Sequence, residues 1–91
     1  MKNLVKMGQI PEGWKILKNK LHKKYTFENP TEAADFVSKV LDKANKLNHH
    51  PILKILFKEV NCFLSTHDLG DRITSKDIDL AKQIDSIKGK M

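Results

Sequence analysis

Three of the four histidines in this 91-residue chain lie in two short segments of similar polar character. His49 and His50 belong to the segment 48–51 (NHHP), and His67 belongs to the segment 65–68 (STHD). Because the unperturbed pKa of histidine is about 6.5, an imidazole can both donate and accept a proton near neutral pH. The two segments therefore predict an acid/base site wherever the fold brings them together.

The sequence between these segments predicts a β-hairpin that would bring them together. Residues 52–57 and 60–65 are rich in β-branched and aromatic side chains, and residues 58–59 (KE) lie between them as a two-residue loop. In that register His50 faces His67, with Cβ atoms roughly 4.5–5.5 Å apart. Since Lys-Glu is not a favoured turn dipeptide, the alternative of a longer loop, which would shift the pairing, remains open.

A strand pair and a helix are predicted before the histidine hairpin. Residues 14–17 and 21–27 have the composition of two strands, with residues 18–20 as their turn. Asn29 and Pro30 are typical of a helix start, and apolar residues then recur at helical spacing as far as residue 47.

The two ends of the chain complete the predicted fold. Thr74 opens a last helix, and Asp77 stands three residues on, where it can complete a capping box. Residues 1–10 predict a turn or two of helix. The order α-β-β-α-β-β-α predicts an α+β fold, a two-layer sandwich with helices on one face of an antiparallel four-stranded sheet. At this length we expect residues 1–91 to form one domain.

Composition is that of an ordinary soluble protein, with 40% hydrophobic and 31% charged residues. The only cysteine, Cys62, falls on the core face of a predicted strand, which excludes a disulfide framework and favours a reducing compartment. No stretch approaches the ~20 apolar residues of a membrane span, and residues 1–7 lack the apolar core of a signal peptide. We therefore predict a cytoplasmic protein with no membrane partner.

The charge balance is basic, with a net charge of +6. A lysine-rich stretch near Tyr25 and Phe27 could indicate nucleic-acid binding. However, Arg72 is the only arginine, whereas recognition of bases and phosphates favours the bidentate fork of arginine. We therefore predict a solvated basic face and no nucleic-acid partner.

The combined motifs resemble one known family. NHHP at 48–51 and STHD at 65–68 are followed by ITSKD at 73–77 and Leu-Ala at 80–81, and the likeness extends back to Gly-Trp at 13–14. This combination resembles pterin-4a-carbinolamine dehydratase, also called 4a-hydroxytetrahydrobiopterin dehydratase. The resemblance implies a metal-free dehydration of 4a-hydroxytetrahydropterin to quinonoid dihydropterin, which regenerates the pterin cofactor of aromatic amino-acid hydroxylases.

The resemblance also implies the site residues. The three catalytic-site histidines of the family fall on His49, His50 and His67, and its motif aspartate falls on Asp77. Expelling the 4a-hydroxyl as water requires a proton on its oxygen, and forming the new C=N bond requires loss of the ring N–H proton. We assign proton transfer to His49 and His67, and pterin binding to His50 and Asp77. We expect no cofactor, and the family implies a homodimer or homotetramer.

A metal site is the first alternative, with His49, His50 and His67 as ligands. Adjacent histidines chelate one ion awkwardly, and Cys62 differs in strand parity from His67, so we predict no metal.

The second alternative is a non-catalytic, homo-oligomeric binding or coactivator module of the same fold, since some animal members of the family also act as dimerisation cofactors of a homeodomain transcription factor. The chain departs from the family at Asn45, where an acidic residue is common. Trp14 and Phe57 are interpreted as core anchors rather than as rings that stack on a pterin.

Overall fold

A computed structural model describes residues 9–67, 70 and 72–91 of the chain. Most of the helix predicted within residues 1–10 therefore lies outside the described residues. The described elements follow in the order β1 (Lys15–Leu17), β2 (Lys20–Thr26), α1 (Pro30–Leu47), β3 (Ile52–Leu56), β4 (Glu59–Leu64) and α2 (Ser75–Gly89).

The four strands form one antiparallel sheet in the order β1-β2-β4-β3. Leu21 and Tyr25 of β2 and alternate residues of β4 are buried, and both helices contact β4 and each other. The helices thus cover one face of the sheet, and the predicted α+β sandwich is confirmed for the described elements. None of the helices in this part of the chain is long and apolar enough to cross a membrane.

The first hairpin turns through Lys18 and Asn19, which have φ angles of 52° and 66°. Positive φ at both central residues is typical of a type I′ turn, whose twist matches that of the flanking strands. The hairpin lies where the sequence predicted it, with one residue fewer in the turn.

The second hairpin turns one residue earlier than predicted. Leu56 pairs with Glu59, so the loop is residues 57–58 rather than 58–59. Phe57 has a φ angle of 59°, a left-handed conformation that tight hairpin turns use but that a bulky side chain rarely adopts. Composition offers no signal for such a turn, because glycine or asparagine is the usual residue there.

This earlier turn shifts the strand register by two positions. Leu53 pairs with Cys62, and the same register continued past β3 places residue 50 opposite residue 65. The predicted pairing of His50 with His67 is therefore wrong. A shift of two keeps every side chain on its predicted face, since side chains alternate with a period of two. Cys62 accordingly lies in the core as predicted, as a free thiol.

The hydrophobic core fills the space between the sheet and the two helices. Trp14 is 5% exposed and is the core anchor that the sequence predicted, whereas Phe57 is 71% exposed, so the same prediction for Phe57 is wrong. The largest side chains that are fully buried come from β2, both helices and β4: Leu21, Phe36, Val40, Val60, Cys62, Leu64, Asp77, Leu80 and Ile84.

A polar cluster around Asp85 joins α2 to β2. The Asp85 carboxylate accepts hydrogen bonds from Trp14 Nε1 at 3.1 Å, from Lys23 Nζ at 2.9 Å and from the Tyr25 hydroxyl. Burial raises the pKa of Tyr25 far above its ordinary value, and the hydrogen bond to Asp85 adds to this effect. Burial, with a smaller effect from the Asp85 charge, also raises the pKa of Cys62 to about 12.

Both helices begin with the caps that the sequence predicted. The Asn29 side chain accepts a hydrogen bond from Glu32 N at 2.9 Å, and Pro30 takes the first helical position of α1. At the start of α2, Thr74 and Asp77 form a reciprocal capping box.

Candidate active site

The end of α1 positions the paired histidines. Asn48 ends the helix in a left-handed conformation, with φ at 53°, and His49 N donates to Ala44 O at 3.1 Å. Pro51 then keeps His50 out of the helical region. His49 and His50 therefore leave the helix end in different directions, and they reach different partners.

His49 pairs with a carboxylate from the other helix. Its Nε2 lies 2.7 Å from Asp77 Oδ1, although the two residues are 28 positions apart in the sequence. The His49 side chain is 13% exposed and that of Asp77 is 0% exposed. The pair thus joins a fully buried carboxylate to an imidazole that reaches the protein surface.

The other oxygen of Asp77 is held by two donors. Asp77 Oδ2 accepts hydrogen bonds from the Thr66 hydroxyl and from Thr74 N, both at 2.9 Å. The Thr66 and Thr74 hydroxyl oxygens lie 2.6 Å apart. Because the Thr66 proton points to Asp77, the Thr74 hydroxyl must donate to Thr66. Each proton in this buried chain thus points toward the carboxylate.

This arrangement of donors selects the tautomer of His49. An ionised carboxylate only accepts hydrogen bonds, so His49 Nε2 must carry the hydrogen that it shares with Asp77. In the neutral imidazole the lone pair is then on Nδ1. The nitrogen of His49 that can exchange a proton with a bound molecule is therefore Nδ1.

His50 has a weaker and more exposed partner. Its Nε2 lies 2.8 Å from Asn45 Oδ1, and both residues are exposed. Asn45 occupies the position where an acidic residue was expected from the resemblance. The amide oxygen can fix the orientation of the imidazole as a carboxylate would, but it brings no charge.

His67 begins next to the same network. It follows Thr66 directly, and the backbone of Thr66 forms a bridge with Arg72, with Thr66 N donating to Arg72 O at 2.7 Å. Thr66 and His49 contact the same Asp77 carboxylate. His67 is exposed, so the structure brings the backbone of the third histidine to the cluster and leaves its side chain at the surface.

The sequence predicted the capping box between Thr74 and Asp77, but it did not predict the hydroxyl chain in which Thr74 and Thr66 hold that carboxylate. A signal was available for Thr66, because its parity with Val60, Cys62 and Leu64 places it on the core face of the strand. A buried hydroxyl needs a hydrogen-bond partner, and a nearby carboxylate is the strongest acceptor on offer.

The described residues give the metal alternative no geometric support. Within the ranges 9–67 and 72–91, with residue 70, no group of three or more histidine, cysteine or acidic side chains is arranged to hold a metal ion. The nitrogen of His49 that faces Asp77 is already committed, and the Cys62 thiol is buried in the core.

Comparison with known sequences identifies the family. A family model described as Pterin 4 alpha carbinolamine dehydratase matches residues 2–87. Two relatives named "Putative pterin-4-alpha-carbinolamine dehydratase" come from Picosynechococcus sp. and Sulfolobus acidocaldarius. The first is 40% identical over 89% of this chain and 86% of its own length. The second is 41% identical over 91% of this chain and 89% of its own length.

Solved structures share the fold. A transcriptional coactivator/pterin dehydratase from Brucella melitensis superposes with a TM-score of 0.78 and 26% identity, covering 84% of this chain and 82% of that one. A pterin dehydratase-like protein described as a RuBisCO assembly factor in the alpha-carboxysome superposes with a TM-score of 0.71 and 20% identity, covering 86% of this chain and 92% of that one. By its sequence match over residues 2–87, the chain belongs to the pterin 4 alpha carbinolamine dehydratase family.

Proposed function

We propose that the protein is a hydro-lyase that converts 4a-hydroxytetrahydropterin to quinonoid dihydropterin and water. The observation that carries this proposal is the His49–Asp77 pair, in which a buried carboxylate fixes one imidazole nitrogen and leaves the other for proton exchange. The pair is formed by residues of the two motifs that resemble the family, and it joins the end of α1 to the start of α2.

The proposed chemistry needs two proton transfers and no redox change. One histidine delivers a proton to the 4a-hydroxyl oxygen, the C–O bond breaks, and water leaves with the bonding electrons. The other removes the ring N–H proton, and that electron pair forms the C=N bond. We assign these transfers to His49 and His67, each contributing about 10²–10⁴-fold.

Asp77 acts in this scheme through His49. Its side chain is fully buried, and both of its oxygens are occupied by Thr66, Thr74 and His49. A carboxylate in this place holds the imidazole in one tautomer and stabilises the imidazolium that forms when His49 accepts a proton. We therefore propose that Asp77 positions His49, instead of binding the substrate as the sequence predicted.

His50 is proposed to hold the pterin. Its contact with Asn45 fixes Nε2 and leaves Nδ1 for a polar atom of the ligand. Because both residues are exposed, this contact is formed at the rim of the site. Asn45 brings no charge there, so we expect binding to depend more on His50 than on Asn45.

Two further proposals concern the location of the protein and its oligomeric state. A free cysteine fits a reducing compartment, so we place the pterin-recycling reaction in the cytoplasm. We also propose a homodimer or homotetramer, since β3 is a sheet edge with the exposed apolar residues Ile55 and Leu56. Ile55→Glu should lower the mass found by light scattering coupled to size-exclusion chromatography, and an unchanged oligomer would exclude this edge.

The decisive experiment is a stopped-flow assay with synthetic 4a-hydroxytetrahydropterin. Wild type should accelerate its dehydration, and His49→Ala and His67→Ala should each lower kcat by about 10²-fold or more with a smaller change in KM. The fourth histidine supplies the matched control, since His22→Gln changes an imidazole that bonds Asn61 on the far face of the sheet.

The same assay tests the non-catalytic alternative. The coactivator and assembly roles named for the two structural relatives make a binding module the rival function. A folded wild-type protein that leaves the rate of dehydration unchanged would favour that rival. Equal rates in wild type and in both histidine variants would remove the acid/base scheme.

A further inference from the structure

The sheet face that points away from the helices carries mostly lysines and apolar side chains, and these residues have no part in the proposed dehydration. Apart from Glu59, no acidic side chain points to this surface from the four strands. We call it the open face, and its strand residues are Lys15, Leu17, Lys20, His22, Lys24, Thr26, Ile52, Lys54, Leu56, Glu59, Asn61 and Phe63. Glu59 lies at one end, 3.7 Å from Lys24 Nζ.

A depression of about 340 Å³ lies in the open face. Three lysines and three apolar side chains line it: Leu17, Lys18, Lys20, Ile52, Lys54 and Phe63. Leu17 and Ile52 are about half exposed, so the apolar part of the lining is in contact with solvent. The depression shares no residue with the histidine site.

We propose that the open face binds an acidic, amphipathic peptide segment of another protein. Carboxylates of such a segment would pair with Lys18, Lys20 and Lys54, and its apolar side chains would cover Leu17 and Ile52. Complementary charge speeds encounter and fixes the orientation of the partner, while apolar contact supplies affinity. The proposal goes beyond the dehydratase function and does not depend on it.

The chemistry of the depression favours a peptide over single-stranded nucleic acid. Nucleic acids bind such surfaces by stacking bases on free aromatic faces. Phe63 stacks instead on His22, with ring centroids 4.7 Å apart, and Lys54 Nζ lies 5.4 Å from the centroid of the Phe63 ring. The rest of the apolar lining is aliphatic, which suits leucine-like side chains better than bases.

Charge also argues against a second copy of this chain as the occupant. The protein has a net charge of +6, so two copies that met through their lysines would repel each other. An acidic partner gains from the same charges.

The test uses full-length protein and a fluorescein-labelled twelve-residue peptide in which glutamate and aspartate flank leucine pairs. Binding is followed by fluorescence anisotropy at low and at 0.5 M salt. We expect saturable binding that salt weakens, and the double variant Lys20→Glu/Lys54→Glu should weaken it by about tenfold or more. Ile52→Ser should weaken binding at both salt concentrations.

Matched controls distinguish the open face from general basicity. Lys82→Glu reverses an exposed charge on α2 and should change the affinity by less than about twofold. Dehydration activity and circular dichroism of the open-face variants should match wild type, which separates this test from that of the proposed function.

Four results would overturn the proposal. They are no binding of the acidic peptide, equal binding of a peptide with glutamine and asparagine in place of the acids, tighter binding of a twelve-nucleotide oligo(dT), and an altered mass for Lys20→Glu/Lys54→Glu. The last result would assign the face to self-association.

Discussion

Two carboxylates on α2 show how the same group can serve different purposes in one small domain. Asp77 and Asp85 lie eight residues apart on one helix, and each accepts three hydrogen bonds from side chains or backbone. Asp77 is fully buried, whereas the side chain of Asp85 is 30% exposed. The number of hydrogen bonds therefore does not distinguish the carboxylate proposed to act in catalysis from the one that holds the fold together.

The partners of the two carboxylates make the difference. Asp85 is held by an indole N–H, an ammonium group and the Tyr25 hydroxyl, whose raised pKa keeps it protonated. None of these donors is suited to exchange a proton near neutral pH. Asp77 has an imidazole among its donors, and that imidazole reaches the surface. The Asp85 cluster thus fastens β2 to α2, while the Asp77 cluster leads to a group that can transfer protons.

The largest expected effect comes from Asp77→Asn. An asparagine keeps the volume but can present its amide N–H₂ to His49 and select the wrong tautomer, so we expect kcat for dehydration to fall by about 10²-fold or more. The loss of the capping box should also cost about 1 kcal/mol of unfolding free energy. Stopped-flow kinetics and urea unfolding measure the two effects separately. A kcat within twofold of wild type would show that Asp77 is purely structural.

Asp85→Asn is the matched change in the other cluster. It removes the charge that pairs with Lys23 and weakens the acceptor for Tyr25, so we expect unfolding to become easier by about 2 kcal/mol. Urea unfolding measures the loss, and kcat at a temperature where the variant is folded should equal that of wild type. A fall in kcat as large as that of Asp77→Asn would abolish the distinction drawn between the clusters.

Sequence patterns predicted the elements and faces better than the contacts between elements. The caps at Asn29 and Thr74, and the helical spacing of apolar residues that follows each cap, predict α1 and α2 because these signals are local. The turn at Phe57 was missed, since its left-handed conformation is imposed by strand pairing and not by residue preference. The predicted His50–His67 pairing failed with it.

The candidate site was predicted in part for the same reason. Family motifs pointed to His49 and Asp77, and the capping role of Asp77 follows from its spacing to Thr74. The contact between His49 and Asp77 depends on how the two helices pack across the sheet, which no local pattern encodes. The contribution of Thr66 needed both the strand parity and the location of that carboxylate.

Removing one hydroxyl group from each carboxylate cluster should have a smaller effect than changing the carboxylates themselves. Thr66→Val and Tyr25→Phe each delete one donor to a carboxylate without changing the size of the side chain greatly, and each should cost about 1 kcal/mol in urea unfolding. Only Thr66→Val should also lower kcat, by up to about tenfold, because it loosens Asp77 and thereby His49. If both variants kept full activity, the buried hydroxyl chain would serve stability alone.

The smallest expected effect is a loss of unfolding free energy at alkaline pH, through which the Cys62 thiol reports the charge of Asp85. Burial first, and then Asp85, raise the pKa of Cys62 from 9.0 to about 12, so the folded state keeps a proton that the unfolded state releases above pH 9. The stabilisation from this difference is complete below pH 9 and is lost progressively as the pH rises toward 12. At pH 9.5 the loss of unfolding free energy should be about 1 kcal/mol relative to pH 7, measured by urea unfolding.

Two variants test the origin of this loss. Cys62→Ala should remove this part of the pH dependence. Asp85→Asn should let the folded thiol ionise at lower pH, and an unaltered alkaline profile in Cys62→Ala would show that other groups cause the loss.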